Sequence, residues 1–296
     1  MTSPMGSDMG SGIAAVASPA PVVCTIAGSD SSGSSGIQAD LTTFAALGAH
    51  GTTVLTVVTA QDTVGVSGFY ELDPSLVAAQ LDAVVGDLVP RATKTGLLRS
   101  VEVVEIVAAA AAQGRLGLLV VDPVLVDSAG RGIVADGVID RYRRLATHAT
   151  ALTPNRWEAE LLIDTPLPDT DAVIAAAPRL RSLGAPLVVV TGGRSDDDVV
   201  VDVVVTADGV SLVEAPRVGD EPIRGTGCTY AAAMTAWLAL GKPPAAAAQA
   251  ASEFVDRQLA NARDLRKGAG RPGVPHRCDA PSAVPENDRR LGGQTE

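Results

Sequence analysis

The sequence predicts an α/β fold: a mostly parallel sheet with helices on both faces and a short antiparallel addition at one edge. Three observations predict it. Short apolar runs alternate with stretches of helical spacing along most of the chain, the pattern of βαβ units. The 296 residues are 46% hydrophobic but only 3% aromatic, so Ala, Val and Leu must fill the core, as they do in buried parallel strands. Finally, Asp208-Gly209 between two Val-rich runs signals a hairpin. The length fits one large domain better than two.

Residues 1–21 are rich in Gly, Ser, Ala and Pro and read as a disordered leader. Residues 22–267 read as the folded domain, and 268–296, rich in Gly, Pro and Arg and without periodicity, as a loose tail. Within the domain, 22–27, 53–59, 92–96, 116–122, 149–152 and 187–191 are short apolar runs bounded by Gly, Pro or polar residues, and read as strands. Helical spacing separates them. Ile37, Leu41, Phe44 and Ala45 share one face, as do Val77, Leu81, Val84, Val85 and Leu88. Stretches 170–184 and 228–241 each end at a Gly placed to cap a helix. The hairpin pairs 199–206 with 210–215.

Composition also excludes. A net charge of −11, with no like-charge run longer than Asp196-Asp197-Asp198, argues against a nucleic-acid partner. No apolar run is long enough to span a bilayer. Three widely spaced cysteines, Cys24, Cys228 and Cys278, argue against a disulfide framework or a metal cluster. With no basic n-region at the N-terminus, a cytoplasmic location is the expectation.

In sheets of this kind ligands bind beyond the carboxyl ends of the strands, so the segments that follow each strand carry the functional argument. After the first comes a Gly/Ser-rich loop, Gly28-Ser29-Asp30-Ser31-Ser32-Gly33-Ser34-Ser35-Gly36, opening a helix that contains Asp40. It is either an anion-tolerant approach to a ligand or a polar loop with a Ser cap. Asp40 faces solvent or points back into a site. After the second strand comes Gln61, whose amide suits the edge of an aminopyrimidine or simply faces water in a turn. Asp122 ends the most apolar strand and reads as a Mg²⁺ ligand or a turn aspartate. Asn155 and Glu158, three apart at a helix start, could hold hydrated Mg²⁺ or cap the helix. Thr191-Gly192-Gly193 offers backbone amides to phosphates, or makes a plain turn. Gly225-Thr226-Gly227-Cys228 opens an Ala-rich helix. It can form an oxyanion site, with the helix dipole lowering the Cys228 thiol pKa to make a general base; otherwise Cys228 is a packed helix-start cysteine.

Taken in order, these segments resemble the hydroxymethylpyrimidine/phosphomethylpyrimidine kinases of thiamine biosynthesis, in the ribokinase-like superfamily. The residues that carry the resemblance are Ala27-Gly28-Ser29-Asp30, Gly36-Ile37-Gln38-Ala39-Asp40-Leu41, Ala60-Gln61-Asp62-Thr63, Lys94-Thr95-Gly96-Leu97, Asp122-Pro123-Val124, Thr153-Pro154-Asn155 with Glu158, and Gly225-Thr226-Gly227-Cys228-Thr229. It runs from about residue 22 to about 265. The resemblance implies a three-layer αβα sandwich, ATP and Mg²⁺ as cofactors, and a homodimer. It implies that Gln61 reads the pyrimidine; that Gly28, Asp40, Leu97 and Val124 line its pocket; and that Asn155, Thr191 and Gly193 meet the nucleotide. Asp122 and Glu158 would handle the metal, Gly225, Thr226 and Gly227 would form the anion hole, and Cys228 would be the base. Four positions depart from the family pattern: the serine-rich opening loop, Asp62 in place of Asn, Thr191 in place of a phosphate-facing Lys, and Arg224 in place of His. Arg224 would replace the missing charge. Two rival readings are a pyridoxal kinase of the same superfamily and a pyrimidine-binding protein without kinase turnover.

Overall fold

The computed structural model describes residues 19–127, 130–194, 199–218 and 223–260. The expected tail, and all of the expected leader but residues 19–21, lie outside them.

One nine-stranded sheet forms the middle layer, in the order β3-β2-β1-β4-β5-β6-β7-β8-β9. The parallel centre comprises β1 (Val22–Asp30), β2 (His50–Gln61), β4 (Ala92–Thr95), β5 (Leu118–Val121), β6 (Ala151–Leu152) and β7 (Leu187–Arg194). Its strands are near-continuous apolar runs because both faces are covered. On one face lie α2 (Pro74–Asp87), α3 (Val101–Ala112), α4 (Val138–Ala146), α5 (Arg156–Ile163), α6 (Thr170–Ala175) and α7 (Ala177–Arg181), around a core including Ile26, Val54, Leu81, Val107, Tyr142 and Leu152. On the other lie α1 (Gly36–Ala46), α8 (Thr226–Ala239) and α9 (Pro244–Ala260), around Phe44, Val120, Val189, Met234 and Phe254. The three-layer αβα arrangement is the expected one.

The edges differ from expectation. The hairpin of β8 (Val199–Val205) and β9 (Val210–Pro216) forms as the Asp-Gly signal predicts, antiparallel to β7. A second antiparallel strand, β3 (Val66–Glu71), closes the opposite edge against β2. The addition is therefore at both edges, not one. β3 escaped the sequence reading because a one-sided edge strand lacks the buried run: Val66, Phe69 and Tyr70 are exposed. The single helix expected over 170–184 is two, α6 and α7. Pro178 cannot donate to the carbonyl four residues back, so the helix breaks at Ala176.

Candidate active site

Beyond the carboxyl ends of β1, β2, β4, β5, β6 and β7 lies an open cleft of about 820 Å³. Gly28, Gln61, Leu97, Asp122, Val124, Asn155, Glu158, Thr191 and the whole run Gly225–Cys228 line it. Segments from seven parts of the chain thus meet at one place.

The loop after β1 is held by its own side chains. The Asp30 carboxylate accepts from Ser32 N and Oγ (2.8 and 2.7 Å) and from Ser35 N and Oγ (2.9 and 2.8 Å). The extra serines of this loop therefore order it. Ser31 Oγ donates to Gln61 O (2.6 Å) and accepts from Gln61 N (2.8 Å), which ties the loop to the end of β2. The Gln61 side chain is half-buried, with Oε1 accepting from Thr59 Oγ1 at 3.1 Å. Its Nε2 has no hydrogen-bond partner among the described residues, leaving two donors for a ligand edge.

Against this loop lies the start of α8. Gly225 sits at φ +84, and a Cβ there would run into the Ser34 carbonyl. Only glycine lets the α8 loop pack against the β1 loop in this way. Arg224 Nη1 donates to the Asp62 main-chain carbonyl at 2.9 Å, so two of the departing positions sit against one another. The Asp62 carboxylate accepts from Gly65 N and Val64 N, which hold its pKa below the ordinary range.

The Cys228 thiol does not follow the helix-dipole expectation. Burial pushes its pKa up to about 12, and Asp122 and Asp40 push the same way; Lys94 and the Gly36 amide oppose them. Desolvation outweighs the half-charge of a helix end when carboxylates stand nearby.

Beneath the cleft floor lies an ion cluster. Lys94 is fully buried in β4, with Nζ 2.8 Å from Asp40 Oδ1 and 3.5 Å from Asp122 Oδ2. Asp40, also fully buried, accepts from Thr25 Oγ1 at 2.6 Å through its other oxygen. Asp40 is thus a buried counter-ion and does not line the cleft, contrary to the pocket role expected of it. Burial works against the Lys94 charge, but Asp40, Cys228 and Asp122 together hold its pKa above the ordinary value. Sequence reading had recorded Lys94 without a role. A lysine inside a central strand was the available signal, since it needs buried carboxylate partners.

On the nucleotide side, Asn155 and Glu158 form a reciprocal capping box at α5: Glu158 N donates to Asn155 Oδ1 (3.0 Å) and Asn155 N to Glu158 Oε2 (2.9 Å). The capping alternative is therefore realised. Glu158 Oε1 also accepts from Leu125 N at 3.2 Å. Burial, then the Asp122 charge, pushes Glu158 up to about 8, and burial pushes Asp122 to about 6. Asp122 Oδ2 is buried without a hydrogen bond. A hard divalent cation fits here, because Asp122 Oδ2 has only the 3.5 Å ion pair with Lys94 and a second raised carboxyl stands beside it, and both favour a nearby positive charge. Among the described residues no three His, Cys, Asp or Glu side chains converge as a closed metal cage.

Thr191 N donates to Pro154 O at 2.9 Å, placing the β7 turn beside Asn155. Gly193 also lies in β7, two residues beyond Thr191. The Gly192 amide, expected to face phosphate, donates instead to Asp202 Oδ1 at 2.9 Å.

Residues 30–273 match the family described as phosphomethylpyrimidine kinase. A hydroxymethylpyrimidine/phosphomethylpyrimidine kinase of Synechococcus elongatus is 41% identical over 252 residues, 84% of this chain and 95% of that protein. One from Salmonella typhimurium is 37% identical over 248 residues, 83% and 93% of the two chains. Among solved structures, an ADP complex of Bacillus subtilis pyridoxal kinase superposes with a TM-score of 0.80 at 34% identity, covering 86% of this chain and 97% of that one. A phosphomethylpyrimidine kinase from Clostridium difficile 630 gives 0.71 at 32% identity, covering 80% and 98%. The chain belongs to the phosphomethylpyrimidine kinase family.

Proposed function

We propose that the chain transfers the γ-phosphoryl group of ATP to the hydroxymethyl oxygen of 4-amino-5-hydroxymethyl-2-methylpyrimidine, and then a second one to the resulting monophosphate, for thiamine biosynthesis. One observation carries the reading: the Gln61 amide and a Gly-Thr-Gly-Cys helix start line one cleft that also receives Asp122, Asn155, Glu158 and Thr191.

In the first step the alcohol oxygen bonds to the γ-phosphorus, the bond to the ADP oxygen breaks, and the hydroxyl proton passes to Cys228. Lys94 and the Gly36 amide favour the ionised thiol that this step needs, whereas burial and the Asp122 and Asp40 charges oppose it and hold the free thiol at about 12. Backbone amides from Gly225 to Cys228 stabilise the charge that develops on the transferring group. Asn155, Thr191 and Gly193 position the nucleotide. Asp122 and Glu158 hold Mg²⁺ or its water shell, and the metal neutralises phosphate charge when bound.

The protein is a homodimer in this reading: β3 ends the sheet with its outer edge unpaired among the described residues, and a second copy could add to that edge. Light scattering that returns a monomer mass at micromolar concentration would reject the dimer. Among the described residues no helix is long and apolar enough to cross a membrane, and Cys24 and Cys228 are free thiols. A cytoplasmic location accords with both.

The deciding experiment measures ADP release with the hydroxymethylpyrimidine, its monophosphate and pyridoxal. Release with the first two supports the reading. Release with pyridoxal alone makes the chain a pyridoxal kinase, and ring binding without ADP release makes it a binding protein.

A further inference from the structure

β8 reads Val199-Val200-Val201-Asp202-Val203-Val204-Val205, six valines around one buried aspartate. A carboxylate in such a strand opposes burial, which pushes its pKa up to about 6. The register explains why it is there. Val190 pairs with Val203 and Gly193 with Val201, so Thr191 and Gly192 together oppose the single residue Asp202. This is a β-bulge, and a bulge leaves a main-chain group out of the ladder. The Gly192 amide is that group, and it donates to Asp202 Oδ1 at 2.9 Å. The other carboxylate oxygen accepts from Ser252 Oγ, in α9, at 3.1 Å. With its amide paired in this way, the bulge presents Thr191 to the cleft, where Thr191 N bonds Pro154 O beside Asn155.

We propose that Asp202 is a positioning residue for the nucleotide: through the Gly192 amide it fixes the bulge that presents Thr191, and Ser252 fixes Asp202 in turn. The inference rests on the nucleotide role given above to Thr191. Asp202 lies outside the cleft lining and acts only through the turn.

The test compares Asp202→Val, Asp202→Asn and Ser252→Ala with the wild type, titrating Mg-ADP and the hydroxymethylpyrimidine separately by calorimetry. Valine matches its neighbours and removes a buried charge, but it orphans the Gly192 amide. Mg-ADP affinity should fall about 10- to 100-fold, the equivalent of losing one hydrogen bond to a charged group, with pyrimidine affinity within about twofold. Asparagine keeps an acceptor for Gly192 and a donor for Ser252, so it should recover Mg-ADP affinity to within about threefold. Ser252→Ala removes only the outer tether and should cost about two- to fivefold in Mg-ADP alone; it carries the same comparison if the valine variant does not fold. Equal losses for both ligands, unchanged Mg-ADP affinity in the valine variant, or an asparagine variant as weak as valine would each overturn the proposal. A wild type that binds no Mg-ADP would instead sink the kinase reading itself.

Discussion

Replacing Lys94 with methionine should destabilise the protein in a strongly pH-dependent way. The ammonium is fully buried, 2.8 Å from Asp40 and 3.5 Å from Asp122. At an effective dielectric near 20, charges at those separations attract by about 6 and 5 kcal/mol. Much of that offsets the desolvation of three ions, and truncating one member of a buried ion cluster costs about 3–5 kcal/mol. For a domain of this size the Tm at pH 8 should fall by roughly 6–20 °C. The sign with pH follows from the carboxyls. Burial already raises Asp122 to about 6 and raises Asp40, and losing the cation raises both further. A group whose folded pKa lies above its unfolded value contributes stability that is fully present below the unfolded value, ~4 for Asp, and lost as pH climbs through the folded value. The deficit relative to wild type should therefore be largest at pH 8 and shrink toward pH 5. Thermal unfolding of both proteins across that range is the assay. A deficit that is flat with pH would refute the idea that Lys94 keeps these carboxylates charged, leaving only lost packing.

Three other variants probe the cleft. Cys228→Ala should impair phosphorylation of the alcohol by about 10²–10⁴-fold and that of the monophosphate far less, since the second acceptor is already anionic; parallel progress curves on the two substrates check this, and equal losses would reduce Cys228 to a loop-shaping residue. Glu158→Gln should weaken use of Mg-ATP while sparing pyrimidine affinity, and should also lower the Tm slightly, because an amide cannot accept from both Leu125 N and Asn155 N; a collapse of pyrimidine binding by calorimetry would contradict the metal-side assignment. Gln61→Ala should cost about 1–3 kcal/mol in pyrimidine affinity, and an unchanged dissociation constant would return Gln61 to an ordinary turn role.

What was legible in the sequence tracks how local the signal is. The parallel strands are visible because covering both faces forces an uninterrupted apolar run, and the Asp208-Gly209 turn names its own hairpin. β3 has neither mark. The cleft residues are legible by type and by their place after strands, but the partners that set their electrostatics are not. Lys94 meets Asp40 across 54 residues, and Arg224 meets Asp62 across 162. The thiol of Cys228 shows the consequence. A helix start can be read from Gly225 and Thr226, whereas the carboxylates and the dry surroundings that outweigh the dipole belong to the tertiary structure alone. Asp202 is conspicuous among its valines, yet the bulge it completes appears only when β7 and β8 are set in register.

The bond between Arg224 and the β2–β3 turn ends on a main-chain carbonyl, whereas at its other end it needs a side-chain donor. The two positions therefore carry unequal evolutionary freedom. Any residue that keeps the turn can occupy position 62 and still offer the same acceptor, so drift there is tolerated without a matching change elsewhere. A change at position 224 to a side chain without a donor loses this bond, and no change at position 62 restores it.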